Sequence, residues 1–286
     1  MRVNEKIFLG GLDMQRVKIG WASRNISTDR PINIPGQFYM RISQGVRDPL
    51  FVNSLVLDDG RDLVIFLSVD LSVIRYKLLD EVRTAVAKRK PAIPTNKIIM
   101  NATHTHSGAS YSNEALTLDI EQIADAGVDI ASSDEYRDFL VGQCADAICE
   151  AYEKRSEGGI AYGYGYAVVG HSRRVVYFDD ISKRGGSIDG YKIDGHAKMY
   201  GNTNDDNFRH YEAGADHFIN LLYTFDKNNN LTGAIINVPC PSQNSEHEYM
   251  LSADYWHDVR EAIRAKHGDI YILPQCAASG DLAPRI

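Results

Sequence analysis

Apolar residues recur along this chain with two different periods, and the pattern predicts both strands and helices. Two apolar runs, 51–57 and 63–69, flank Asp58-Asp59-Gly60 and indicate a hairpin. Apolar positions at helical spacing follow, and this helix is expected to end before Pro91. A second helix is predicted from an N-cap within 132–134 to about Arg155. Further predicted elements are strands at 7–9, 16–19, 97–100, 221–225, 231–238 and 270–273, and a helix at 256–266.

Hairpins combined with strand-helix-strand units predict an α/β fold, with mixed β-sheets and flanking helices. Four of the apolar strands end in short polar segments, at Asp70, 101–106, 240–243 and 275–281. Ligands in open α/β sheets bind at the carboxyl ends of strands, so a site is expected where these ends converge. Asp70 itself is expected to be an ordinary strand boundary that caps the following turn. Residues 179–215, rich in Gly, Asp and Asn, are predicted to be a long insertion over the surface or the pocket.

Composition narrows the class of protein. The 286 residues are enough for one large domain, and 44% of them are apolar, as in a soluble globular protein. The net charge of −7 argues against a nucleic-acid partner, which would need a positive surface. No apolar run is long enough for a transmembrane segment. The N-terminus lacks a signal-peptide core, which predicts a cytoplasmic protein, although a chain whose leader has been removed would look the same.

The candidate chemistry is concentrated in residues 101–108, Asn-Ala-Thr-His-Thr-His-Ser-Gly, directly after a predicted strand. Residues i and i+2 share a face in extended backbone, so His104 and His106 are expected to point into one pocket. Such a pair suits a metal ligand next to a second ligand or a proton-transfer group. A surface turn that happens to hold two polar residues is the alternative that the pattern leaves open.

This stretch resembles the Thr-His-Thr-His-Ser-Gly signature of the neutral/alkaline, non-lysosomal ceramidases. Residues 280–285, Gly-Asp-Leu-Ala-Pro-Arg, resemble the family's Gly-Asp-Val-Ser-Pro-Asn segment, and Ser172-Arg173 lies where the family has Asn-Arg. The strand that ends at Asp70 and its approach at 48–50 are also similar to the family. The resemblance spans nearly the whole chain in the same order, and its first motif is fairly specific.

Members of this family hydrolyse the amide of N-acylated sphingoid bases with a bound zinc ion, in an α/β catalytic domain. The resemblance therefore implies a zinc-dependent, ceramidase-like hydrolase of lipid metabolism, acting on the linear amide of a small N-acyl substrate. It implies His104 as a zinc ligand, His106 as a catalytic or substrate-contacting histidine, and Arg173 as an arginine that lines the site. Asp281, in the Gly-Asp segment, is assigned to the catalytic residues with His106 and Arg173.

Several positions depart from the family's pattern. The family's second histidine ligand corresponds to Cys240 here, and because a thiolate can bind zinc, Cys240 is the second metal candidate. His247 is a nearby alternative ligand, but His247 and Glu246 are both expected to be solvated loop residues. The serine of the Gly-Asp-x-Ser-Pro segment is Ala283, and Ser279 cannot be assumed to replace it.

The family's remaining ligands, a glutamate and a tyrosine, lie beyond Ile286. Residues 1–286 are therefore interpreted as a single, C-terminally truncated ceramidase-like catalytic domain. We therefore expect the chain to be completed by a missing C-terminal segment or to form a homo-oligomer. Two alternatives remain. The chain could be a non-catalytic or metal-free relative that binds a small molecule or partner at the same strand edge. It could also catalyse without zinc, either through Ser107 or Ser279 acting with His106, or through Cys240 as a thiolate nucleophile.

Overall fold

The computed structural model describes residues 17–37, 39–112, 129–185 and 193–284. The predicted strand at 7–9 lies outside the described residues. The strands in chain order are β1 Val17–Asn25, β2 Phe51–Asp58, β3 Leu63–Val69, β4 Ile98–Ala102, β5 Ser156–Tyr166, β6 Gly170–Ser172, β7 Arg174–Tyr177, β8 Ile193–Asp194, β9 Ala197–Met199, β10 Phe208–Tyr211, β11 Phe218–Asp226, β12 Leu231–Val238, β13 Tyr271–Cys276 and β14 Leu282–Pro284. The α-helices are α1 Tyr76–Arg89, α2 Ser133–Glu153 and α3 Tyr255–His267.

In the described part of the chain, eight strands form the main sheet, in the order β13-β12-β11-β5-β1-β2-β3-β4. The β3–β4 and β12–β13 pairs are parallel, and the other neighbours are antiparallel. The helices flank this sheet, and residues such as Leu78 of α1, Leu140 of α2 and Trp256 of α3 join the main hydrophobic core. The predicted α/β fold with mixed sheets and flanking helices is confirmed.

The main sheet folds over itself, so that β13 packs across β3 and β4. The Pro274 carbonyl accepts hydrogen bonds from Ser68 Oγ at 2.5 Å and Asn101 Nδ2 at 3.0 Å. Trp21 of β1 stacks on Tyr271 of β13, with ring centroids 5.5 Å apart. This folding buries a second apolar core and brings together strands that are not neighbours in the sheet.

The local signals in the sequence were reliable where short-range chemistry determines the backbone. The predicted hairpin is formed by β2 and β3, which pair in register. The predicted N-cap is confirmed, because Ser132 and Glu135 form a reciprocal capping box at the start of α2. Within the described part of the chain, no helix is long and apolar enough to cross a membrane.

Part of the segment predicted to be an insertion forms regular structure. Strands β10, β7, β9 and β8 build a four-stranded sheet in that order, above a small core of Val175, Tyr177 and Ile181. Strand β6 pairs instead with β14, with Leu282 opposite Ser172. This two-stranded ribbon places Arg173, the residue after β6, beside the segment that contains Asp281.

Asp70 does not serve as a simple turn cap, and that expectation is wrong. Its carboxylate receives two hydrogen bonds from the Arg260 guanidinium, at 2.8 and 2.9 Å, and one from the Phe51 N–H at 2.8 Å. Both charged side chains are buried. A buried carboxylate requires such partners because it has lost its hydration, and the arginine that supplies them is distant in sequence.

Candidate active site

The segments that follow four strands of the main sheet meet at one edge of the fold. After β4, Thr103 donates its N–H to the Val69 carbonyl at the end of β3, at 3.0 Å. Ser242, beyond β12, donates its hydroxyl to the Thr103 carbonyl at 3.0 Å. Ala277, after β13, donates its N–H to the Val238 carbonyl of β12 at 2.9 Å. The predicted convergence of these strand ends is confirmed.

His104 is half-buried in the turn after β4, with a left-handed backbone conformation at φ 61°. Its Nδ1 contacts the Ser72 carbonyl, which can only accept a hydrogen bond, so Nδ1 carries the proton and Nε2 keeps a lone pair. Burial lowers the pKa of His104 and outweighs the hydrogen bond to the Ser72 carbonyl, which raises it; the nearby His106 and Arg173 add smaller decreases. His104 is therefore neutral at neutral pH, with Nε2 available as an acceptor or a metal ligand.

His106 lies against His104, so the two rings share one pocket as predicted, although a left-handed turn at His104 and not extended backbone brings them together. The ring centroids are 4.9 Å apart, the ring planes are nearly perpendicular, and the two Nε2 atoms are separated by 3.4 Å. On its other side, His106 Nδ1 is 3.2 Å from a carboxylate oxygen of Glu246. The side-chain amide nitrogen of Gln243 lies 3.2 Å from His106 Nε2 and donates to the same Glu246 oxygen.

The contacts of the two Nδ1 atoms constrain what lies between the rings. A proton on each Nδ1 satisfies the Ser72 carbonyl and the Glu246 carboxylate, and it leaves a lone pair on both Nε2 atoms. In the other tautomer of His106 the Nε2 proton donates to His104 Nε2 at 3.4 Å. With both protons on Nδ1, a cation between the two Nε2 atoms would remove the repulsion of their lone pairs. Two nitrogen ligands of one tetrahedral zinc ion, each at about 2.0–2.1 Å from the metal, are also about 3.4 Å apart. The histidine pair therefore suits either a shared proton or a shared metal ion.

A glycine allows the loop before β2 to close over His106. Gly36 has φ of 110°, and a Cβ atom at this position would lie 2.7 Å from Cγ of the His106 ring. Both the backbone conformation and the close approach favour glycine here. The His106 side chain is consequently only 12% exposed.

Arg173 and Asp281 meet through their backbones. The Arg173 N–H donates to the Asp281 carbonyl at 2.9 Å. The Arg173 guanidinium is close enough to His104 for its charge to help lower the pKa of that imidazole. The Asp281 side chain is exposed. The roles assigned to these two residues from the sequence remain predictions.

Cys240 lies in the segment after β12, and its thiol is buried. The Sγ atom is 3.5 Å from the Pro241 carbonyl, and a Cβ atom built on Gly170 would lie 3.3 Å from it. Burial raises the pKa of the Cys240 thiol to about 12, and the neighbouring Cys276 adds to the increase. Metal ligation by Cys240 remains a prediction, and it would require this thiol to lose its proton.

The side chains around His104 supply only some of the ligands that a zinc ion needs. The His104–His106 pair offers two imidazole nitrogens at a suitable separation. However, among the described residues no group of three or more His, Cys, Asp or Glu side chains is placed to hold a metal ion. Zinc therefore remains a prediction for this chain.

Sequence reasoning misjudged one residue of the site. Glu246 was expected to be a solvated loop residue, but its side chain is only 19% exposed and contacts His106. Its neighbour His247 is solvated as expected, at 79% exposure. The only signal in the sequence was the position of Glu246 six residues after Cys240, which does not reveal which way the side chain turns.

The serine candidates are engaged with other groups. Ser107 is fully buried, and its hydroxyl lies 3.1 Å from the Ser245 carbonyl and 3.2 Å from the Ser245 hydroxyl. The Ser279 hydroxyl is 3.2 Å from the Cys276 sulfur. Neither hydroxyl contacts a histidine ring among its observed partners, so the structure offers no support for a serine nucleophile activated by His106.

Comparison with solved structures identifies the class of fold. The chain is similar to neutral ceramidase from Pseudomonas aeruginosa, with a TM-score of 0.68 and 17% sequence identity over 96% of this chain and 40% of that chain. It is equally similar to a ceramidase complexed with C2, with a TM-score of 0.68 and 17% identity over 94% of this chain and 39% of that chain. The described domain therefore has a ceramidase-like fold.

The similarity covers only part of each ceramidase chain. The chain spans about two fifths of the length of the ceramidase structures that it resembles. Comparison with protein-family models and with curated protein sequences gives no match. At this level of identity the similarity establishes the fold and leaves the chemistry to be argued from the site.

Proposed function

We propose that this chain carries part of the active site of a metal-dependent amidohydrolase, related in chemistry to neutral ceramidase, which cleaves the amide of a small N-acyl compound. His104 would be a zinc ligand, and Cys240 is the candidate for a second one. When bound, zinc would supply a Lewis acid that polarises the amide carbonyl and lowers the pKa of a bound water. The fold shared with two ceramidase structures supports the reaction class.

The protein groups around the histidines have chemically distinct parts in this proposal. His106 would transfer a proton during amide cleavage, as a general acid–base group. Glu246 would hold the His106 ring through Nδ1, as carboxylates commonly orient functional histidines. Arg173 would stabilise negative charge on the substrate, since its guanidinium acts on His104 and is therefore close to the pair.

One observation carries the proposal: the Ser72 carbonyl holds the Nδ1 proton of His104, so His104 Nε2 keeps a lone pair, and it lies 3.4 Å from Nε2 of His106, the proposed proton-transfer group. A neutral imidazole whose Nε2 lone pair faces a second imidazole at this distance can bind a metal ion or accept a proton from its neighbour. The lowered pKa of His104 supports the same role, because a metal ligand must be unprotonated.

Cobalt(II) titration tests the metal part of the proposal. Tetrahedral cobalt absorbs strongly in the visible region, and a thiolate ligand adds a charge-transfer band in the near ultraviolet. We expect a visible spectrum that His104→Ala abolishes and that His247→Ala, a matched variant at an exposed histidine, leaves unchanged. Loss of the charge-transfer band alone in Cys240→Ser would identify Cys240 as a ligand. Absence of any cobalt spectrum, together with no hydrolysis of a panel of N-acyl compounds, would refute the proposed function.

A metal-free relative that binds a small molecule or partner at the same strand edge is the second candidate. It is favoured by the buried, protonated thiol of Cys240 and by the lack of a three-residue metal group among the described residues. This candidate predicts that N-acyl compounds bind the chain equally well with and without zinc, as measured by calorimetry. Zinc-dependent binding would exclude it.

A further inference from the structure

One buried cation joins the segments that surround His106. Arg41 has no exposed surface, and its guanidinium donates hydrogen bonds to four backbone carbonyls. These belong to Pro35 at 2.9 Å, Glu246 at 2.7 Å, Glu248 at 2.9 Å and His106. The Arg41 side chain thus hydrogen-bonds to three parts of the chain that are far apart in sequence, at Pro35, at His106 and at 246–248.

Each segment that accepts a hydrogen bond from Arg41 forms part of the environment of the His106 ring. The Pro35 carbonyl precedes Gly36, whose backbone lies against the His106 ring. The Glu246 carbonyl belongs to the residue whose carboxylate contacts His106 Nδ1. The fourth carbonyl is that of His106 itself. The guanidinium therefore contacts the backbone of the histidine, of its carboxylate partner and of the loop that covers them.

The chemistry of arginine explains why this residue can join three segments. A guanidinium stays charged even though burial lowers the pKa of Arg41, and its planar fork presents five N–H donors in fixed directions. Lysine presents its donors from one point, so it cannot reach carbonyls on both sides of the fork. A buried charge is unfavourable unless hydrogen bonds replace its hydration, and here four backbone carbonyls replace it at Nη1 and Nη2, while Nε has no hydrogen-bond partner among the described residues.

We propose that Arg41 is a positioning residue, which holds the His106 ring, the Glu246 carboxylate and the Gly36 loop in one fixed arrangement. The catalytic meaning of this arrangement rests on the proposed function, in which His106 transfers a proton. The arrangement itself is a property of the folded chain that can be measured without any activity assay.

A second buried arginine provides a contrast. Arg260 is also fully enclosed, but its partner is the Asp70 carboxylate, and none of its observed hydrogen bonds reaches the histidine segment. Its loss is expected to reduce global stability. Loss of Arg41 is expected, in addition, to release the segments over His106 while the rest of the fold remains intact.

Chemical labelling of histidines tests the positioning role. Diethyl pyrocarbonate would be applied to the full chain without zinc, and mass spectrometry would give the rate at His106 relative to exposed His247 as an internal reference. In Arg41→Met we expect this ratio to rise about tenfold, because charge-assisted hydrogen bonds that keep the segments closed are lost. Arg41→Lys, which keeps the charge without the fork, should raise it nearly as much.

A control separates local release from general destabilisation. Tyr136→Phe removes one buried hydrogen bond, from the Tyr136 hydroxyl to the Ile26 carbonyl at 2.8 Å, which involves none of the residues that the Arg41 guanidinium contacts. It should lower the melting temperature and leave the His106 ratio unchanged. In Arg41→Ala, free guanidinium ion at millimolar concentration should enter the vacated site and lower the ratio again.

The outcomes distinguish the two proposals. If the His106 ratio in Arg41→Lys and Arg41→Met stays at the wild-type value while both melt earlier, Arg41 is a structural residue only and the inference is overturned. A failure of the chain to hydrolyse N-acyl compounds or to bind a metal would refute the proposed function and leave the labelling result unaffected.

Discussion

The buried Asp70–Arg260 pair gives the sharpest test of how this fold is stabilised. The perturbation is Arg260→Met, which keeps most of the side-chain volume and removes the charge. It leaves the Asp70 carboxylate buried, with the Phe51 N–H as its remaining observed partner at 2.8 Å. An uncompensated buried charge is far less favourable than an apolar replacement of the whole pair.

The magnitude follows from the geometry of the pair. Two charge-assisted hydrogen bonds at 2.8 and 2.9 Å are lost, and each contributes about 1.5–3 kcal/mol. Their sum agrees with the roughly 3–5 kcal/mol measured when one partner of a buried ion pair is removed in other proteins. For a domain of this size the melting temperature should fall by about 10 °C.

Urea unfolding followed by circular dichroism would measure the loss, with Arg264→Met as matched control one turn further along α3. Arg264 is partly exposed and pairs with Glu261 at 3.5 Å, so its loss should change the free energy of unfolding by less than about 1 kcal/mol. The double variant Asp70→Leu/Arg260→Met should recover part of the stability, because no unpaired charge remains. Equal effects of Arg260→Met and Arg264→Met would refute the reasoning.

Three further predictions concern the site and its supports. Gly36→Ala should lower the free energy of unfolding by about 1–3 kcal/mol, because the added Cβ would clash with the His106 ring. Gly60 also has positive φ but nothing within 4 Å, so Gly60→Ala should lower it less. Similar losses for the two variants in thermal unfolding would contradict this. Because the pKa of His104 is lowered in the folded state, the metal-free protein should lose stability as pH falls below about 6.5, and His104→Gln should flatten that decline in urea titrations at several pH values. Ser132→Ala should lower the free energy of unfolding by about 1 kcal/mol through loss of the α2 cap, and an unchanged urea midpoint would argue against it.

The convergence of the strand ends could be predicted from the sequence. The pattern predicted that polar segments after four strands would converge, and backbone hydrogen bonds between Thr103 and Val69 and between Ala277 and Val238 confirm it. The spacing of His104 and His106 predicted that their rings would point into one pocket, and the rings do lie together, although His104 has left-handed and not extended backbone. The convergence follows from strand direction, whereas the rings meet through the left-handed turn at His104, which follows the end of β4.

Glu246 and Arg41 mark where that reasoning stopped. Each is a charged residue, and exposure is the ordinary expectation for charged residues. Their burial depends on contacts with the segment around His106, which lies more than sixty residues from Arg41 and still further from Glu246. No local pattern records which distant carbonyl or imidazole a charged side chain will meet.

The sequence by itself determined most strands of the main sheet and the helices that flank it, the α/β class and the segment that holds the histidine pair. These depend on hydrophobic period, turn chemistry and helix capping, which act over a few residues. Only the tertiary structure decided the Asp70–Arg260 pair, the Glu246 contact and the Arg41 contacts. The physical reason is that a buried charge must find a partner wherever the folded sheet brings one within hydrogen-bonding distance. The main sheet, which folds so that β13 packs across β3 and β4, brings together partners that are remote in the chain.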